Sequence, residues 1–168
     1  EVIAETCRPI CSPTLLFYLD FNSFKPFNDT YGFRIGDRVI QMFADHLRAL
    51  AETSDWFVGH VGGDDFVAVV QSDGTADGLA TRIAQVRALV DRFREDVTSV
   101  YTPADREQGY IEALDREGRR RRFPLLTVSA AALVIPEHDH FLPHADLSRE
   151  ITAIKRSAKR AGGALVVA

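Results

Sequence analysis

Asp20 closes an almost wholly apolar run, TLLFYL over residues 14–19, and Gly62-Gly63-Asp64-Asp65 separates two further β-type runs. The first run follows Ser12-Pro13 and reads as a buried central strand. A carboxylate at the end of such a strand is costly unless it is paired, ligates a metal or caps a following helix. The polar Asn22-Ser23 beside it leaves the metal and helix-cap readings both open. The Gly-Gly step between residues 56–61 and 66–70 is a hairpin signal, and its turn carries two adjacent acids. If the strand ending at Asp20 neighbours that hairpin, Asp20, Asp64 and Asp65 converge and repel one another until a divalent cation joins them. Hard oxygen ligands of this kind suit Mg²⁺, or Mn²⁺ in its place, and Mg²⁺ leaves several coordination positions to phosphate and water. The chemistry indicated is that of a nucleoside triphosphate. Lys25 lies close behind Asp20, and Lys155 and Lys159 fall one turn apart on one face of a terminal helix, so cations for the phosphates are at hand. Each lysine taken alone would serve equally as a solvated surface charge.

These groups need a frame, and the hydrophobic periodicity describes one. From Gly36-Asp37, the residues Val39, Ile40, Phe43, Leu47 and Leu50 recur at helical spacing, with Asp37 near the positive end or capping it. Leu79, Ile83, Val86, Leu89, Val90 and Phe93 mark a second helix over residues 75–96. Residues 97–123 read as an excursion hairpin, with short strands 110–114 and 121–126 around Asp115-Arg116-Glu117-Gly118. A buried strand over 125–135, a helix over 146–159 with Leu147, Ile151 and Ile154 inward, and an edge strand over 164–167 complete the order. That order, β-α-α-β-β-α-(ββ)-β-α-β, predicts an α/β or α+β fold with a central mixed sheet flanked by helices. One domain is expected over residues 14–168, with 1–13 as a linker or extension.

Composition narrows the function classes. The 168 residues carry 20 Lys and Arg against 24 Asp and Glu, a net charge of −4, which gives no global electrostatic footprint for DNA or RNA. No stretch approaches the roughly 18 to 20 apolar residues that span a bilayer. Cys7 and Cys11 lack a second pair to complete a zinc site, so reduced thiols and a cytoplasmic setting are expected. His138, His140 and His144 are spread over a Pro-containing loop without metal-ligand geometry. The chain opens on Glu1 without a signal-type apolar segment, and is read as a piece of a longer protein.

The ordered series Asp20-Phe21-Asn22-Ser23-Phe24-Lys25, Asn28-Asp29-Thr30-Tyr31-Gly32, Gly36-Asp37 and Gly62-Gly63-Asp64-Asp65-Phe66 resembles the GGDEF family of diguanylate cyclases over residues 14–168. Gly-Gly-Asp-Asp alone would carry little weight; the spaced series upstream of it is specific. Within the family, the chain is most similar to the GGDEF domains that follow EAL phosphodiesterase and CBS domains, which share an extra segment like residues 97–123. The resemblance implies a nucleotidyl-cyclase-like fold, with the GGDDF turn on a β-hairpin. It implies condensation of two GTP molecules to cyclic di-GMP by two such domains facing each other as a homodimer. The alternative is a degenerate GTP-binding domain that regulates a linked EAL phosphodiesterase.

By motif position, the resemblance assigns the metal to Asp20, Asp64 and the Phe21 carbonyl, and the guanine to Asn28 and Asp37. A carboxylate accepts from the N1–H and N2–H₂ edge, and an amide both donates and accepts. Gly62 and Gly63 would let the turn run under the triphosphate. Phe24, Lys25 and Lys159 would line its path, with Lys155 a weaker cation. Asp64, Asp65 and Lys25 form the implied catalytic set. Asp65 stands where the family has Glu, a reach shorter by about 1 to 1.5 Å. Asn22 replaces a usual Asp, Phe33 a His, Ala131 a Gly and Gly163 an Arg. His60 replaces an Arg, and reads as a packed hairpin side chain or a pH-dependent cation. The family's product-inhibition motif would fall on Thr53-Ser54-Asp55-Trp56 and lacks both charged residues, so standard feedback inhibition there is not expected. The basic run Arg119 to Arg122 reads as a solvated hairpin face, or as a contact for nucleotide, partner domain or acidic linker.

Overall fold

A computed structural model of the protein describes residues 13–53, 55–135, 149, 152–154, 156 and 165–167. Among them, seven strands follow one another: β1 (Thr14–Asn22), β2 (Trp56–Gly62), β3 (Asp65–Gln71), β4 (Tyr110–Leu114), β5 (Arg120–Pro124), β6 (Thr127–Ile135) and β7 (Leu165–Val167). The helices are α1 (Phe24–Tyr31), α2 (Phe33–Thr53), α3 (Ala76–Asp96) and α4 (Pro103–Gln108). Five strands form one sheet in the order β2-β3-β1-β6-β7, while β4 and β5 pair separately. β1 is antiparallel to β3 and to β6, β2 is antiparallel to β3, and β7 joins β6 in parallel. The mixed sheet flanked by helices is the predicted one.

The apolar run earned its central place because β1 is covered on both faces. Leu15, Phe17, Leu19 and Phe21 pack with Val39, Phe43 and Leu47 of α2 and with Val86, Leu89 and Phe93 of α3. Leu16 and Tyr18 join Val67, Ala131, Ile135 and Ile154 on the other side. Ile154 is therefore inward, as its spacing predicts, and residues 149, 152–154 and 156 are helical. Leu147, Ile151, Lys155 and Lys159 lie outside the described residues, as do the cysteines and His138, His140 and His144. Phe21 stacks on Phe93 at 5.3 Å between ring centres and meets Phe43 edge-on at 5.3 Å. Ring pairs of this kind add about 0.5 to 1.5 kcal/mol each beyond the area they bury. They hold the backbone beside Asp20 in register.

Two local readings are corrected. α2 starts at Phe33, three residues before the sequence-based boundary, because Gly32 at φ 83° breaks the chain in one residue and its carbonyl takes the Ile35 and Gly36 N–H groups. Asp37 thus lies beyond the first turn and does not cap the helix. The short helix α4 was not expected in a stretch of irregular composition. Pro103 opens it, and the Thr102 hydroxyl accepts from the Asp105 N–H at 3.2 Å.

The excursion between α3 and β6 is fastened to α1. Tyr101 meets Phe27 and Tyr31 edge-on, its hydroxyl accepts from the Leu126 N–H at 2.8 Å, and the Tyr31 hydroxyl donates to Asp105. Ile111 of β4 is fully buried in the core.

Candidate functional site

Antiparallel pairing of β1 with β3 sets Asp20 directly opposite Asp65, with Asp64 in the turn before it. Strand alternation carries Asp20 to the face shared by Leu16 and Tyr18, at the open end of the sheet. One carboxylate oxygen from each of Asp20, Asp64 and Asp65 lies within 4.8 Å of the other two, and Asp20 is fully buried. Three hard anionic ligands this close fit a divalent cation such as Mg²⁺ in the chemistry of the donor set. The hairpin turn is built for close approach: Gly62 at φ 148° and Gly63 at φ 59° adopt backbone that L side chains rarely take. A bulge between His60 and Gly62 tightens it. The Phe21 N–H donates to the Asp64 carbonyl at 3.3 Å, tying the turn to β1 through the main chain.

His60 takes the packing reading. Its ring stacks on Phe66 at 4.5 Å between centres, and Nε2 lies 2.9 Å from the Gly63 carbonyl, which it can reach as a donor. It braces the turn from the side. Asn22, standing where an acid is usual, is engaged by β6: its amide donates to Thr127 Oγ1 at 2.9 Å, and its Oδ1 accepts from Ser129 Oγ at 2.9 Å. Its hydrogen bonds stitch β1 to β6 beside Asp20, so the substitution has a structural use.

Sequence reasoning missed Tyr18. Its hydroxyl donates to Asp65, and burial, that bond and the nearby charges of Asp65, Asp20 and Asp64 push the phenol far above its ordinary value of 10. Tyr18 is therefore a donor at every physiological pH. The signal was present, since two residues before Asp20 on a strand means the same face.

A cavity of about 530 Å³ opens beside the turn, a volume typical of small-ligand sites. Phe21, Phe24 and Lys25 line it with Asp64, and Arg119 and Arg121 close the opposite wall. Lys25 is exposed and paired with Asp29 at 2.7 Å, a surface pair that a polyphosphate can replace at little cost. Asn28 and Asp37 do not line this cavity; they sit one turn further along α1 and on the facing part of α2. The Asn28 amide packs against Gly36, next to Asp37, and a Cβ at Gly36 would collide with Asn28 Oδ1. That oxygen is buried against Gly36 without a hydrogen-bond partner, which makes it an unsatisfied acceptor. Asp37 beside it is exposed.

A model of the diguanylate cyclase GGDEF domain matches residues 4–105. The chain belongs to the GGDEF family. Among curated relatives of this GGDEF domain, signaling protein YkoW of Bacillus subtilis is 32% identical over 82 residues, covering 49% of this chain and 10% of that protein. Diguanylate cyclase DgcS of Shewanella oneidensis is 39% identical over 64 residues, covering 38% and 21%. The chain thus spans between a tenth and about a fifth of the length of these two relatives. The GGDEF domain of PA1120 (TpbB or YfiN) from Pseudomonas aeruginosa superposes with a TM-score of 0.62 at 19% identity, over 99% of this chain and 87% of that one. That of DgcB from Caulobacter crescentus, solved with c-di-GMP, gives 0.59 at 22% identity over 93% and 78%. Both likenesses establish the fold.

The Asn28–Gly36 contact yields a sharp expectation. Gly36→Ala should keep the fold, since alanine favours the helix by about 1 kcal/mol and the colliding atom ends a movable side chain. With the guanine role that motif position implies for Asn28, it should cost about tenfold in guanine-nucleotide affinity, the scale of one lost hydrogen bond of roughly 1 to 1.5 kcal/mol. Calorimetric titration alongside a melting curve separates the two effects.

Proposed function

We propose that this GGDEF domain binds GTP with Mg²⁺ or Mn²⁺ and condenses two GTP molecules to cyclic di-GMP. The observation that carries this reading is the carboxylate cluster of Asp20, Asp64 and Asp65 at the edge of a cavity to which Lys25, Arg119 and Arg121 bring positive charge beside Asp115 and Glu117. In the reaction, each 3′-hydroxyl oxygen bonds to the α-phosphorus of the other nucleotide, the α–β anhydride bond breaks, and pyrophosphate leaves with its electron pair. Two sites must face each other, so the active species is a homodimer of GGDEF domains. Phosphoryl transfer of this kind needs positioning and charge neutralisation.

Asp20, Asp64 and the Phe21 carbonyl would hold the metal, which supplies charge neutralisation at the triphosphate and acidity at the attacking hydroxyl. Asn28 and Asp37 orient the guanine, the Asn28 oxygen accepting from its N–H edge. Gly62 and Gly63 admit the phosphates against the backbone. Phe24 and Lys25, in the first turn of α1, bring the positive end of a helix and a cation to them. Asp65, held by Tyr18, is the group placed to take the 3′-hydroxyl proton. Lys155 and Lys159 are further phosphate cations in this reading. The full-length chain joins this domain, residues 14–168, to EAL and CBS domains, with 97–123 as the segment that varies within the family. It works in the cytoplasm, where GTP is present.

Titration with GTP and with ATP, each with Mg²⁺ and with EDTA, tests the binding half of the proposal. GTP binding that needs the metal and exceeds ATP binding at least tenfold is expected. Equal binding of the two nucleotides, or binding unaffected by EDTA, would contradict it.

A further inference from the structure

The β4–β5 hairpin lies beyond the residues matched by the family model, yet it forms a wall of the nucleotide cavity. Its two faces differ. Opposed residues in an antiparallel pair share a face, so Ile111 and Phe123 lie with Ala113 and Arg121, while Glu112 lies with Arg122. Ile111 is buried and Phe123 packs against the core, which turns the Arg121 face inward. Arg120 and Arg122 flank Glu112 on the outer face, and Arg122 covers the Tyr110 ring at 4.7 Å.

On the inner side, Asp115 organises the cations. Its Oδ1 accepts from the Glu117 N–H at 3.0 Å and the Arg119 N–H at 2.9 Å. Its Oδ2 accepts from Arg119 Nε at 3.0 Å and forms an ion pair with the Arg121 guanidinium, Nε lying 2.7 Å away. Burial by itself would raise the Asp115 carboxyl, but these N–H groups and arginine charges outweigh it and hold the carboxyl below its ordinary range. Asp115 thus pairs with Arg121 on its Nε side, and the terminal nitrogens of Arg121 make no hydrogen bond among the described residues. That leaves the edge of the guanidinium that binds phosphate in bidentate fashion. Arg121, Arg119 and Lys25 line the same cavity as Asp64. Arg119 is further held by Glu117, Nη2 to Oε2 at 3.1 Å, and Lys25 by Asp29, so the terminal nitrogens of Arg121 are the cavity's most available phosphate donors among these three cations.

We propose that the β4–β5 hairpin supplies Arg121, with Arg119 beside it, as a ligand for the polyphosphate of the nucleotide, and that Asp115 is the positioning residue for both. The inference rests on the reading of the cavity as a GTP site. Arg121→Ala should bind GTP–Mg²⁺ at least tenfold more weakly, on the scale of one charged hydrogen-bonding contact. GMP affinity should be unchanged, and Arg121→Lys should restore part of the loss. Arg120→Ala, on the outer face, should bind all ligands like the parent protein. A merely structural role for Arg121 would move GTP and GMP together, and would overturn the proposal. So would GTP binding that needs Asp64 but is indifferent to Arg121, an outcome that leaves the GTP site itself standing. If the parent protein takes up no GTP, or takes it up equally well as Asp64→Ala, the underlying reading and the hairpin's role both fall.

Discussion

Asp64→Ala is expected to weaken metal-dependent GTP binding about a hundredfold or more and to remove cyclic di-GMP formation with it. Loss of a group that only orients a metal ligand typically costs about 10- to 100-fold, so loss of a ligand itself should cost at least the upper figure. The variant should fold. Asp64 anchors the turn to β1 through its main-chain carbonyl, which accepts from the Phe21 N–H, and alanine keeps that bond. Removing one carboxylate from a cluster held within 4.8 Å also relieves repulsion in the metal-free protein, so its melting temperature should hold or rise. Titration with GTP and Mg²⁺, paired with a thermal melt, measures both. Unchanged affinity in a folded variant would mean that the carboxylates do not form the nucleotide's metal site.

Asp65→Glu is expected to raise turnover by about ten- to a hundredfold with GTP affinity little changed. The Asp side chain stops about 1 to 1.5 Å short of a glutamate, and a misplacement of about 1 Å at a reacting group can cost about a hundredfold. Asp65 starts β3 opposite Asp20, where its backbone is fixed by the strand ladder, so the shortfall cannot be recovered by local shift. Tyr18 adds a second constraint, because its hydroxyl donates to the Asp65 carboxylate and so restricts its orientation. Tyr18→Phe alone should change turnover, leave GTP affinity close to that of the parent protein, and couple non-additively with Asp65→Glu. Steady-state rates of pyrophosphate release across the four proteins provide the cycle. No gain in Asp65→Glu, with or without Tyr18, would absolve Asp65 and place the limit in how two domains meet.

Much of the frame was legible because its signals are local. A β-type run sealed by Asp20, a Gly-Gly hairpin and two helices with apolar stripes fixed the sheet, and the convergence of Asp20 with Asp64 and Asp65 followed from strand adjacency. What escaped depends on contacts remote in sequence. Asn28 against Gly36 needs the exact seating of α1 on α2, and the Asn22 bridge needs β6, more than a hundred residues away. The basic run at Arg119 to Arg122 reads in sequence as one patch. Strand alternation and the burial of Ile111 and Phe123 divide it into an outward pair and a pair facing the cavity. Helix α4 rests on a threonine cap and a proline, cues too short to outweigh the polar composition around them.

The most direct test of the central claim is incubation of the domain at high concentration with GTP and Mg²⁺, with chromatographic detection of products over a series of protein concentrations. Cyclic di-GMP and pyrophosphate in a one-to-two ratio are predicted, at a rate that rises more steeply than linearly with protein because two sites must meet. GTP bound with Mg²⁺ yet converted to no cyclic di-GMP at any concentration, in the parent protein and in Asp65→Glu alike, would contradict the cyclase and leave a GTP-responsive regulatory domain.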